Sequence, residues 1–186
     1  MLGPRQSFFS RRIWSNANTM NSEYVRELFN YNYWRNQKIL SKVAQVQPWQ
    51  FDAPTTFPFA SLRGTLVHVL GAEWLWYQRM HEGVSPSALP SKDEFPTLQS
   101  ILARWVGVEQ QWRAWANLLT DDELKSAHTY SLLDKNRPLV TDPLWAALAH
   151  VVNHGTQHCA EMAQMLTDYG QSPGNIDLLY YFREKK

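Results

Sequence analysis

Residues 144–166 read LWAALAHVVNHGTQHCAEMAQML. Leu144, Leu148, Val151, Gly155, Cys159, Met162 and Leu166 recur at intervals of three and four, the spacing that places side chains along one face of an α-helix. Thr141-Asp142-Pro143 reads as the helix start, a capping side chain followed by an early proline, and Gly170 as its end. Three histidines ride on this helix, His150, His154 and His158, at i, i+4 and i+8. Residues four apart are neighbours on a helix, so His-x-x-x-His can hold one metal ion between two turns. At about 100° per residue, His158 lies about 80° from the centre of the apolar stripe, His154 about 120° and His150 about 160°. His154 and His158 therefore border the core, and His150 points away from it.

The rest of the chain is helical as well. Ser22 reads as the cap of a helix to about Val46, with Tyr24, Leu28, Tyr31 and Leu40 at its apolar positions. Prolines and threonines make residues 48–58 a loop. Ser61 caps a second helix to about His81, and Gly83 to Pro96 is loop again. Thr97 opens a third helix to about Leu119. Residues 120–140 read as a turn of helix or a short hairpin, and Ile176 to Phe182 as a short closing helix. The expected fold is all-α: a four-helix bundle with long connections and a short C-terminal helix.

Composition narrows the function. Eighteen Lys and Arg against 17 Asp and Glu give a net charge of +1, which offers no basic stripe for nucleic acid. One cysteine in 186 residues excludes a disulfide framework and a cysteine zinc finger. No apolar run approaches the roughly 18 residues that a membrane span needs. Residues 1–19 differ from the remainder: Arg5, Arg11 and Arg12 with serines and no acid make a basic, disordered tail or an organelle-targeting segment. The folded domain is expected over residues 20–186, in the cytoplasm unless that segment directs it elsewhere.

A third metal ligand would have to come from another helix, and His68 is the candidate. Leu62, Leu66, Val67, Val69, Leu70, Leu75 and Met80 make the second helix apolar nearly all round, so it is buried on more than one side. A buried imidazole there needs a hydrogen-bond partner or a metal. Gly64 and Ala72 share its face and would let another helix come close. Three histidines with open coordination positions are the pattern of catalytic rather than structural zinc.

Leu66-Val67-His68-Val69-Leu70 followed by Glu73-Trp74-Leu75 resembles the second-helix motif of the DinB/YfiT-like proteins, and His150 to His158 resembles their fourth-helix motif. Tyr31-Asn32-Tyr33-Trp34 and Ser172 to Leu179 are similar to their first helix and C-terminal segment. The resemblance runs in order over about residues 21–186. It implies a four-helix bundle, usually a homodimer, with a metal held by His68, His154 and His158. Relatives often carry histidine and arginine where this chain has Gln157 and Cys159. Some relatives use low-molecular-weight thiols such as bacillithiol or mycothiol, and others are described as metal-dependent hydrolases.

Two function classes stay open on this reading. In one, the protein is an enzyme whose divalent metal (zinc or nickel, then iron) activates a thiol or water for transfer to a small electrophilic substrate, as an S-transferase or a hydrolase. In the other, it is a stress-associated, dimeric metal-binding module without turnover. No catalytic residue is assigned. His150 is expected at the surface, at an interface or behind a ligand, with replacement of one of the three ligands as the alternative. Cys159 is expected as a small buried hydrophobe, with a catalytic or metal role as the alternative, and Glu161 as a solvated carboxylate, the alternatives being that it orients a ligand or acts as a base. His81 and His128 receive no role.

Overall fold

The structure, a computed structural model, describes residues 20–185; the tail or targeting segment expected at 1–19 lies outside the described residues. Helix α1 spans Ser22–Val43. Its cap is Asn21 rather than Ser22: the Asn21 carboxamide oxygen accepts the Tyr24 N–H at 2.8 Å. Residues 48–58, expected as loop, begin with the short helix α2, Pro48–Asp52, where proline takes the first position and needs no N–H partner. Helix α3 spans Leu62–Met80, and the Ser61 hydroxyl accepts the Gly64 N–H at 3.0 Å, as its spacing predicts. Helix α4 spans Leu98–Leu118 and is capped by Thr97.

The segment from 120 to 143 holds one turn of 3-10 helix at Glu123–Lys125 and then an antiparallel hairpin. Its strands are β1, Ala127–Ser131, and β2, Leu139–Pro143, paired from Ala127 with Pro143 to Ser131 with Leu139. Thr141-Asp142-Pro143 therefore ends a strand and does not cap a helix. Helix α5, Leu144–Asp168, starts directly after Pro143, and its first N–H is satisfied by the Ser126 carbonyl at 2.8 Å. Helix α6 covers Leu178–Glu184, two residues later than the expected start at Ile176.

Helix α1 packs against α4 and α5, and α3 packs against the same two. The four long helices thus form a closed ring in the order α1, α5, α3, α4, with the α3–α5 seam opposite the α1–α4 seam. The core is made of Phe29, Ile39, Leu66, Leu70, Ile101, Trp112, Leu148 and Met162, all at most 2% exposed. Each such side chain contributes about 1.5–3 kcal/mol by leaving water. Phe29 stacks on Trp112 with ring centroids 4.7 Å apart. Not every tryptophan is core: Trp49 on α2 is 68% exposed. Among the described residues no helix is long and apolar enough to cross a membrane.

Polar groups also occupy the bundle centre. Glu73 on α3 is 2% exposed, and its carboxylate accepts from Asn32 at 2.8 Å, Asn36 at 3.0 Å and the Trp105 indole at 3.0 Å. Burial pushes the Glu73 carboxyl up, and these three bonds hold it down. Arg35, with no exposed surface, donates to Thr156 at 2.6 Å and to the carboxamide oxygens of Asn32 and Asn36. The two asparagines thus bridge a buried cation and a buried carboxylate. Gly155 makes the room, since a Cβ there would stand 2.6 Å from an Arg35 guanidinium nitrogen.

Candidate metal centre

The α3–α5 seam brings His68, His154 and His158 together. One nitrogen of each lies within 4.8 Å of the others. His154 Nε2 is 3.1 Å from His68 Nε2 and 3.2 Å from His158 Nε2. The i, i+4 pair sits on one face of α5 because 3.6 residues make a turn, and His68 faces it across the seam. Three ring nitrogens that converge on one another cannot all be satisfied by shared protons, because each imidazole offers one donor when neutral. A cation between them satisfies all three. Separations of 3.1 and 3.2 Å also suit nitrogens that are each about 2.0–2.1 Å from a common ion. The donor set fits a divalent transition metal.

Surrounding groups set the protonation and orientation of the trio. Burial, then the nearby rings of His154 and His158, pushes His68 down to about 3. Burial, then His158 and His150, pushes His154 down to about 4. Both imidazoles are therefore neutral at physiological pH, the state a metal requires of its ligands. Glu161 is not a solvated carboxylate: its side chain is 16% exposed and its Oε2 accepts from His158 Nδ1 at 2.8 Å. That bond fixes the proton on Nδ1 and leaves the Nε2 lone pair facing the centre. His158 is buried, while His68 and His154 retain partial exposure, so the centre opens to one side.

A wall of this centre that periodicity does not reveal comes from the loop between α2 and α3. The Phe59 ring stacks on His68 with centroids 3.7 Å apart and planes 15° from parallel, and meets His158 edge-on at 5.2 Å. Gly64 permits it, because a Cβ there would sit 2.1 Å from the Phe59 carbonyl oxygen. At Gly64 the clearance expected to admit a helix is thus occupied by this loop, whereas Ala72 does face α5, beside Val151 and Gly155. The strained positive φ of Ala60, +62°, closes the turn that delivers Phe59.

The other singled-out residues take different places. His150 does not join the trio: it is exposed, its ring 5.6 Å from His154 and 5.0 Å from the Trp76 ring. Gln157 is exposed. Cys159 is fully buried, donates to the Asn36 oxygen at 3.4 Å, and has its thiol pushed up by burial, so it serves as core and not as a nucleophile. Arg35 of α1 acts on the Cys159 thiol from across the core. His81 pairs with Glu82 and His128 with Ser126, both away from the centre.

Comparison with known proteins agrees with this architecture. The DinB family model matches residues 16–186. Protein DinB of Bacillus subtilis (strain 168) is similar at 23% identity over 179 residues, covering 88% of this chain and 97% of its own.

Proposed function

The chain belongs to the DinB family, and from that premise we propose that His68, His154 and His158 hold one divalent transition metal ion, zinc or nickel before iron, in a metal-dependent enzyme. The reaction is transfer of a low-molecular-weight thiol, or of water, to a small electrophile. The bound ion would supply Lewis acidity, lowering the pKa of the thiol or water it meets. The chain's own residues do the rest. Glu161 keeps His158 in the tautomer that ligates. Phe59 shields one face of His68 from solvent. The one-sided opening beside His68 and His154 admits the reactants.

The observation that carries this reading is the convergence of three imidazole nitrogens at a partly exposed seam. A non-catalytic module would have no need of an open side. Glu161 does not act as the base, because His158 already holds its carboxylate. The protein is proposed to work in the cytoplasm as a homodimer, without nucleic-acid or membrane partners.

Zinc- and nickel-loaded protein should be incubated with bacillithiol, mycothiol or cysteine and monochlorobimane, with conjugate formation followed by fluorescence. The expected result is a rate that depends on metal and is lost in His154→Ala. Turnover of esters or amides without conjugate would assign the hydrolase. Absence of both activities from metal-replete protein would leave the non-catalytic module.

A further inference from the structure

A second pocket, of about 250 Å³, lies next to the three-histidine centre along the α3–α5 seam. Its walls are Trp76 of α3, Tyr130 and Asp142 of the hairpin, and Ala146, Ala147 and His150 of α5. His150 is the side chain between the two: its ring meets Trp76 at 5.0 Å on one side and His154 at 5.6 Å on the other. Trp76 and Tyr130 stand edge to face, centroids 5.1 Å apart with planes at 70°, and form an aromatic corner.

Asp142 supplies the charge in that corner. Its Oδ2 accepts the Tyr130 hydroxyl at 2.6 Å. Among the described residues no lysine, arginine or histidine stands within ion-pair distance of it. The nearby cation, Arg79, is committed elsewhere. It is 5% exposed, donates to the Ser131 carbonyl at 2.6 Å, and lies 5.0 and 4.9 Å from the Trp76 and Tyr130 rings. It pins the hairpin to α3 from outside the pocket lining. A half-buried carboxylate with no ion-pair contact among the described residues, beside two aromatic rings whose one cation among those residues is the committed Arg79, suits a ligand that brings a second cation. An anionic ligand would meet Asp142 as a like charge, and a neutral one would leave it unpaired.

We propose that this hairpin pocket binds the ammonium end of a small molecule whose other end lies at the three-histidine centre. The placement of that other end rests on the function proposed above, whereas the ammonium site stands without it. The hairpin is then a specificity element: Tyr130 orients Asp142, Trp76 presents its ring, and the two alanines keep the floor open.

The test is calorimetric titration with benzyltrimethylammonium, whose permanent charge prevents it from ligating a metal. Benzyl alcohol and phenylacetate serve as neutral and anionic probes carrying the same ring. The cation should bind about tenfold or more tightly than either. Asp142→Asn, which can still accept from Tyr130, should weaken the cation about tenfold and leave benzyl alcohol unchanged. Ala146→Phe, which fills the pocket from the helix surface, should abolish binding with the hairpin intact. The same affinity should persist in His68→Ala, whose metal content is measured on the same samples. Retained cation binding without metal in any sample would sink the metal reading alone. Phenylacetate binding as tightly as the cation, indifference to both pocket variants, or no binding of the cation at millimolar concentration would overturn the ammonium site.

Discussion

Glu161 holds His158, one of the three proposed metal ligands, from behind, and its effect should be visible apart from the fold. Its carboxylate is the sole partner described for His158 Nδ1. Glu161→Gln should lower metal affinity about 10–100-fold while the helical circular dichroism signal stays unchanged, measured by competition with a chromophoric chelator. Unchanged affinity would make Glu161 a bystander. Protonation gives a second check at this scale. In the metal-free protein His68 and His154 stay neutral down to about 3 and about 4, whereas the same groups ordinarily protonate near 6.5. Between those values the unfolded chain binds more protons than the folded one, so stability falls as pH drops from 6.5 towards 4. Denaturation midpoints of apoprotein across this window should show that slope, and His68→Ala should flatten it. The histidine trio was legible in the sequence because i, i+4 spacing and a buried neighbouring helix are both local patterns. Glu161 was ambiguous there, since a wheel gives direction but not the reach of a side chain.

Among the elements, the loop between α2 and α3 walls the centre and the hairpin walls the pocket beside it; the loop was poorly legible, and the hairpin was read only as one of two possibilities. Short segments have too few residues for periodicity to register, and their positions are set by contacts far away in sequence. Thr141-Asp142-Pro143 looked like a helix start because the same residue types suit a strand end that leads into a helix. The long helices were readable because their apolar residues recur over five or more turns, and three of them, α1, α3 and α4, also carry a capping side chain. Gly64→Ala tests the loop. Its Cβ would lie 2.1 Å from the Phe59 carbonyl oxygen, so the turn must shift, at an expected cost of about 1–3 kcal/mol in stability. Phe59 should also leave His68, which nuclear magnetic resonance would report as a loss of ring-current shift on the His68 protons. A variant as stable as the parent, with those shifts retained, would contradict the role assigned to Gly64.

For the molecule as a whole, the bundle is organised around two polar systems: the histidine centre in the α3–α5 seam and the Arg35–Asn32–Asn36–Glu73 network inside the ring. The network joins α1, α3, α4 and α5, and a lapse in any member leaves a buried group unpaired. A carboxylate in the middle of a helix that is apolar nearly all round was its signal in the sequence, but no spacing rule pairs Glu73 with residues 37 and 41 positions away. Gly155→Ala should displace Arg35 and destabilise the protein by about 1–3 kcal/mol, read from denaturant unfolding. An unchanged midpoint would show that the guanidinium has room to move.

The claim on which the functional account depends is that His68, His154 and His158 together hold one metal ion. It is tested by elemental analysis of untagged protein by inductively coupled plasma mass spectrometry, with His68→Ala and His154→Ala purified in parallel. About one equivalent of a transition metal is expected in the parent and its loss from both variants, with the helical signal intact. A parent that stays free of metal after incubation with zinc and nickel, or variants that keep a full equivalent, would contradict it.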